Sequence, residues 1–177
     1  MKITILILES LNGFIAKSHG DDLSWATRED RDFFISTTKK IGTMIMGSTT
    51  FNNMKGIKGT AFRDRNIVVM TTKPQDYQDY KNNFAKDVKF ISGSPQDIVT
   101  FLESKGINSA VVIGGSQIMS QFLKSNYVDE IYLTIAPYVF PKGISIFDDS
   151  LPEIQLSLLE VSKISQNEIL IHYKVNR

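Results

Sequence analysis

Asp30 lies one helical turn before Phe33 and Phe34. Laid out at about 100° per residue, the segment after Thr27 places Phe33, Phe34, Thr37 and Ile41 in one stripe, with Asp30 near its middle. Glu29, Asp32, Lys39 and Lys40 mostly flank or oppose that stripe. A carboxylate turned toward aromatics is costly unless something polar meets it, and its pKa should rise, which is the profile of a functional acid. The alternative is that Asp30 only completes a capping arrangement with Thr27. A solvated cap, however, should not sit at the centre of a buried face.

A second set of residues suits an anion. Ala110-Val111-Val112-Ile113 is a continuous apolar run, broken by Gly114-Gly115. Ser116 then opens a segment in which Ile118, Met119, Phe122 and Leu123 recur at helical spacing. A buried strand, two glycines and a helix start leave free N–H groups where a phosphate would approach, and the helix dipole favours negative charge. The same pattern without a ligand is an ordinary tight turn. Thr43 to Met46, closed by Gly47 and followed by Ser48-Thr49-Thr50-Phe51, repeats the unit with hydroxyls at the helix start, where simple N-capping is the alternative. Asn66 to Met70 is a third buried strand and ends in Thr71-Thr72-Lys73. Polar and cationic groups at the C-terminal end of such a strand are where open α/β sheets bind ligands.

Composition narrows the classes. The 177 residues suffice for one domain with a sizeable core, and 42% hydrophobic with 22% charged residues is the make-up of a globular protein. A net charge of +1 gives no electrostatic case for nucleic acid. Without cysteine there is no disulfide or thiolate metal site, and His19 and His172 have no partner at ligand spacing, so no metal is expected. The opening ITILIL is too short for a signal peptide or a membrane span. A cytoplasmic protein with no membrane partner is expected.

The elements that must position these residues follow in order. Residues 2–9 form a first strand, Ser10-Leu11-Asn12-Gly13 a turn, and Phe14 to Ala16 a short apolar patch. Residues 17–24 make a polar loop, mobile enough either to close over a site or to act as a plain connector. Trp25, the single tryptophan, precedes a helix capped by Thr27 that ends at Gly42. Residues 55–65 are a Gly- and base-rich loop, and 75–87 are irregular. Val88 to Ile91 is a strand, and a helix runs from Ser94-Pro95 to Gly106. Val128 to Ala136 alternates as a strand, and residues 154–164 and 168–175 pair as an antiparallel hairpin. Strand–helix repeated four times with a hairpin appended specifies a single three-layer α/β/α domain over residues 1–177. Its sheet is mostly parallel, with a C-terminal antiparallel hairpin at the edge.

Taken together, the chain resembles the dihydrofolate reductase superfamily, and within it the reductase domain of riboflavin biosynthesis (the RibD C-terminal type). The resemblance spans nearly the whole length. It is carried by Ser10–Ala16, by Trp25 with Asp30 five residues later, and by Met46-Gly47-Ser48-Thr49-Thr50-Phe51. Arg65-Asn66-Ile67-Val68-Val69, Ile113-Gly114-Gly115 and Asp129-Glu130-Ile131-Tyr132-Leu133-Thr134 complete it. It implies NADPH across the C-terminal edge of the sheet and hydride transfer to a heterocyclic or ribose-derived small molecule. Asp30 is then the carboxylate that bonds the ring, and Thr134 the hydroxyl that bonds Asp30. Gly47, Ser48, Thr49, Thr50, Thr71, Thr72, Lys73, Ile113, Gly114, Gly115, Ser116 and Gln117 fall to the cofactor, with a cis peptide between the two adjacent glycines. Leu8, Trp25 and Phe34 line the substrate pocket. A homodimer is compatible with the resemblance.

Two departures bear on the substrate. Ser48 stands where dihydrofolate reductases usually place a base toward the adenosine phosphate. Asp64 stands where they place the arginine that clamps the folate carboxylate, and an acid there repels a glutamate tail. A sugar phosphate would instead find Lys55, Lys58, Arg63 or Arg65. The first expectation is therefore a stand-alone reductase, without the deaminase domain that often precedes this type. Its expected substrate is a phosphoribosylaminopyrimidine, 5-amino-6-(5-phosphoribosylamino)uracil being the type case. A dihydrofolate or pterin reductase is the alternative, and a non-catalytic nucleotide-binding module is a third reading.

Overall fold

Apolar runs this short and this rich in Ile, Val and Met are stable only when covered on both faces, and the sheet is built that way. The computed structural model describes residues 1–56 and 61–177. Five parallel strands come first: β1 (Lys2–Ser10), β3 (Thr43–Gly47), β4 (Asn66–Met70), β5 (Asp87–Ile91) and β6 (Ser109–Val112). They are joined by β7 (Glu130–Ala136), parallel to β1, and by the hairpin β9 (Leu156–Lys163) and β10 (Ile169–Val175), with β10 antiparallel to β7. The eight strands lie in the order β5-β4-β3-β6-β1-β7-β10-β9. This is the mostly parallel sheet with an antiparallel C-terminal edge that the sequence specifies.

Each face carries its own helices. Leu6, Met44, Met46, Ile67, Val69 and Val111 meet α1 (Arg28–Ile41) and α2 (Ser48–Met54) on one side. Ile3, Ile5, Ile45, Val68, Ala110 and Val112 meet α3 (Pro95–Ser104) and α4 (Ser116–Lys124) on the other. The alternation along β1, with Ile3 and Ile5 facing one layer and Leu6 the other, is the period-two geometry of a strand. β9, at the edge, has most of its side chains exposed.

The stretch at 75–87 is irregular as expected, and two other details differ from the sequence reading. The connection from β4 to β5 contains only a 3-10 turn, Pro74–Tyr77, because Pro74 and the polar run after it offer no apolar stripe to bury. In α1 the fully buried threonine is Thr38 rather than Thr37, and the Thr38 hydroxyl donates to Phe34 O at 2.8 Å. Phe14–Ala16 (β2) is paired with a two-residue strand, Ile144–Ser145 (β8), in a small second sheet. The adjoining Gly143 is needed there, since a Cβ on it would lie 2.5 Å from Ala16 O and 2.7 Å from the Phe14 ring.

Candidate active site

The C-terminal edge of the sheet gathers the residues with chemistry. Gly47 pairs with Met70, so the ends of β3 and β4 are level, and Leu8 pairs with Thr134 on the opposite side of β1. The α1 helix comes down onto this edge with its first turn. Thr27 caps it by accepting Asp30 N–H at 3.1 Å, and Gly42 closes the other end. Capping is thus done by Thr27, and the Asp30 side chain is free for another task.

That side chain is turned inward and is 9% exposed. Burial raises its pKa to about 6; the Thr134 hydroxyl facing it favours the charged form, and the nearby charge of Glu168 raises the pKa further. Thr134 is itself buried and its Oγ makes no hydrogen bond of ordinary geometry. A carboxylate and a hydroxyl, both short of partners, meet under one helix turn. They can bind ring N–H groups or hold a proton for transfer.

Apolar walls surround them. Leu8 and Trp25 are buried together with Ala136 and Phe140, and the indole stands edge-on to Phe140 at 5.2 Å. The indole N–H donates to Asp21 at 3.3 Å, and Asp21 also accepts Lys17 N–H and Leu23 N–H. The polar loop at 17–24 is thereby a set of turns built around one carboxylate. Asn12 ties the turn after β1 to the opposite wall by donating to Phe140 O at 2.8 Å and accepting Phe140 N–H at 3.1 Å. Phe33 and Phe34 diverge from α1: the first packs edge-on to Tyr132, the second to Phe62.

Beside this pocket two strand-to-helix turns touch. Gly47 N–H donates to Gly114 O at 2.9 Å, and a Cβ on Gly47 would come within 3.1 Å of Ile118. The Gly114–Gly115 peptide is cis, as the resemblance implies. No side chain caps α4, which leaves the N–H groups of its first turn, beginning at Ser116 and Gln117, available to a ligand. The backbone of Gly114 and Gly115 is lined by Thr50 Oγ1, with Ser48 half-buried and Thr49 exposed on the same helix start. Ile113 is buried and holds β6 to β3 through Ile45 O at 3.0 Å. Thr71 closes β4, its hydroxyl accepts Lys73 N–H at 3.2 Å, and Thr72 and Lys73 are exposed. Uncapped N–H groups, a glycine surface without side chains and a free lysine fit a dinucleotide.

Arg65 requires a correction. Expected at a ligand phosphate, it is only 2% exposed, and its guanidinium is held by Ala61 O, Ile35 O and the Asp64 carboxylate, with Thr38 Oγ1 at 3.4 Å. Its two terminal nitrogens are spent inside the protein, and its Nε is buried without a partner among the described residues. Arg63 and Lys55 are exposed, and Lys58 lies outside the described residues. Sequence reasoning also missed Glu168, a buried carboxylate at the approach to β10 that accepts the Thr27 hydroxyl. Only contact across the fold reveals it.

This fold and this edge define a reductase-type α/β protein of the dihydrofolate reductase superfamily. The RibD C-terminal domain family matches residues 1–170, and the chain belongs to that family. An uncharacterized Bacillus subtilis (strain 168) protein, YwjB, is 26% identical over 176 residues, covering 97% of each chain. The crystal structure of a putative riboflavin biosynthesis protein from Shewanella sp. PV-4 superposes with a TM-score of 0.81 at 21% identity over the full length of both chains. Dihydrofolate reductase from Enterococcus faecalis, in complex with NADP(H), superposes with a TM-score of 0.69 at 20% identity, covering 99% of this chain and 97% of that one.

Proposed function

We propose that the chain is an NADPH-dependent reductase whose substrate is an amino-substituted pyrimidine carrying a ribose phosphate, of the kind represented by 5-amino-6-(5-phosphoribosylamino)uracil. The observation that carries the reading is Asp30, buried against Thr134 and held near neutral pKa at the edge where the glycine turn meets the sheet. The cofactor, when bound, supplies the hydride. Ser116 and Gln117 would offer N–H groups to its pyrophosphate, Gly114 and Gly115 would leave room for its ring, and Lys73 with Thr71 and Thr72 would meet its adenosine 2′-phosphate. Asp30 bonds the N–H edge of the substrate ring and carries the proton that balances hydride addition. Leu8, Trp25 and Phe34 exclude water from that ring. Arg63 and Lys55 are the cations within the adjoining loop for the sugar phosphate.

Dihydrofolate is the second reading, favoured by the same Asp30 and Phe34. Asp64 counts against it: its side chain is 51% exposed and, paired with Arg65 and Lys39, presents a carboxylate rather than a cation to a glutamate tail. The deciding experiment is a reductase assay with NADPH against both substrates, compared as kcat/KM. The aminopyrimidine is expected to win. Dihydrofolate winning by tenfold or more replaces the reading with the folate one, and no turnover of either with no NADPH binding removes the reductase reading.

A further inference from the structure

Glu168 is 1% exposed. Its Oε2 accepts the hydroxyl proton of Thr27, the same hydroxyl that accepts Asp30 N–H at 3.1 Å. Its Oε1 is buried and has no partner, and the Thr134 hydroxyl on the neighbouring strand is in the same condition. A carboxylate has room for about four donors. This one has a single donor, and burying it so costs free energy that an apolar side chain at the position would not.

The groups facing Asp30 show what that cost maintains. From β7 comes the Thr134 hydroxyl, from the approach to β10 the Glu168 carboxylate, and from α1 itself Arg31. Arg31 donates instead to Leu23 O at 3.3 Å and stays exposed. From β1 and the Trp25 loop the neighbours are apolar. Among the described residues no cation forms a salt bridge with Asp30 or Glu168; the ion pairs lie elsewhere. Two carboxylates therefore share one pocket with one donor hydroxyl between Glu168 and the helix start.

We propose that Glu168 is a positioning residue for Asp30: through the Thr27 hydroxyl it fixes the first turn of α1 over the sheet, and its second oxygen, buried and without a partner among the described residues, adds an acceptor beside Asp30 at the ring end of the site. The pair then selects ligands that bring N–H donors and rejects ligands that bring another anion to the ring end of the site. The proposal rests on the reading of Asp30 as the ring-facing acid, but its test does not need turnover.

The test is a carboxyl-carbon NMR titration of Asp30 in wild type and in Glu168→Gln. The glutamine keeps an oxygen for the Thr27 hydroxyl and removes the charge. The Asp30 midpoint is expected to fall by about half a pH unit or more, with the Asp30 amide exchanging no faster than in wild type. A midpoint that does not move overturns the proposal and leaves Glu168 a structural tie. Should Glu168→Gln fail to fold, Glu168→Asp decides: it draws the carboxylate back from the Thr27 hydroxyl, and an Asp30 midpoint and amide exchange both unchanged from wild type overturn the proposal equally. In the assay, the upper-pH limb of kcat should move with the Asp30 midpoint. If no substrate is turned over, the reductase reading fails, while the two titrations still decide the role of Glu168.

Discussion

Helix α1 meets a buried charge toward each of its ends. Toward its C-terminus Arg65 reaches Ile35 O and Thr38 Oγ1, with Ala61 O and Asp64 completing its shell. In its first turn it delivers Asp30 to a pocket where the facing hydroxyl is unbonded and the second charge has the same sign. Both side chains are nearly inaccessible, yet Arg65 has both terminal nitrogens bonded inside the protein, with only Nε unpartnered, and the Asp30 carboxylate has no such set of partners. A buried ion with its hydrogen bonds made fixes structure and has nothing left to offer a ligand; a buried ion without them keeps a demand that a ligand can meet.

The comparison breaks most sharply at Asp30. Asp30→Asn keeps the size and the helix but cannot hold the negative charge or carry the proton. We expect kcat to fall by about 10²–10⁴-fold with NADPH binding retained. Turnover within a few-fold of wild type would make Asp30 as structural as Arg65. At the other end, Arg65→Met leaves two carbonyls and the Asp64 carboxylate without their cation. A loss of about 3–5 kcal/mol is expected in urea unfolding. Protein that remains folded should show unchanged kcat, and a mutant of normal stability with impaired substrate binding would return Arg65 to the site.

A third measurement sets the two ends against each other through pH. Asp30 binds its proton more tightly in the folded chain, with its pKa up from 3.8 to about 6, so the fold loses stability as pH rises through that window. The loss amounts to about 3 kcal/mol at most by the linkage relation. Carboxylates held low, among them Asp97 at its capping box and Glu130 beside Lys2 and His172, act in the opposite direction. The comparison must therefore be made against Asp30→Asn. Wild type and mutant should be alike near pH 4, and the mutant more stable at pH 7. Equal stabilities across the range would mean that Asp30 is not desolvated in solution.

How much of this was legible in the sequence differs between the two ends. Asp30 shows itself through helical periodicity alone, since its place among Phe33, Phe34 and Ile41 is local information. The parallel strands are legible for a similar reason, as unbroken apolar runs such as Asn66–Met70 fit only a doubly covered sheet. Arg65 misleads because a cation in a Gly- and base-rich loop has the pattern of a solvated group. That Phe62 and Arg65 fold under α1 depends on tertiary contact with Phe34 and Thr38. Glu168 leaves no local trace, because Thr27, which it holds, is 141 residues away. The two-residue strand β8 is too short for any periodicity.

The smallest effect expected concerns Asp64, which borders the satisfied end of α1 and carries its charge outward. Its carboxylate lies against the Arg65 guanidinium and 3.7 Å from Lys39 Nζ; desolvation, the largest single influence, raises its pKa, but the Arg65 hydrogen bond and charge, its own backbone N–H and Lys39 together hold it below the usual carboxylate range. It is therefore ionised wherever the enzyme would work. Asp64→Arg replaces a repelling charge by a forked donor of the kind that clamps a carboxylate. One charge-assisted hydrogen bond corresponds to roughly 1.5–3 kcal/mol, so kcat/KM for dihydrofolate should rise about tenfold or more relative to the aminopyrimidine. Asp64→Asn serves as the control: it keeps an oxygen for Arg65 and removes only the repulsion, and should give a smaller change in the same direction. The rise should appear in KM, because the ring-binding end at Asp30 is untouched. If Asp64→Arg leaves the ratio of the two substrates where it was, the C-terminal end of α1 takes no part in choosing the substrate. The choice then lies wholly with the pocket around Asp30, Thr134 and Glu168.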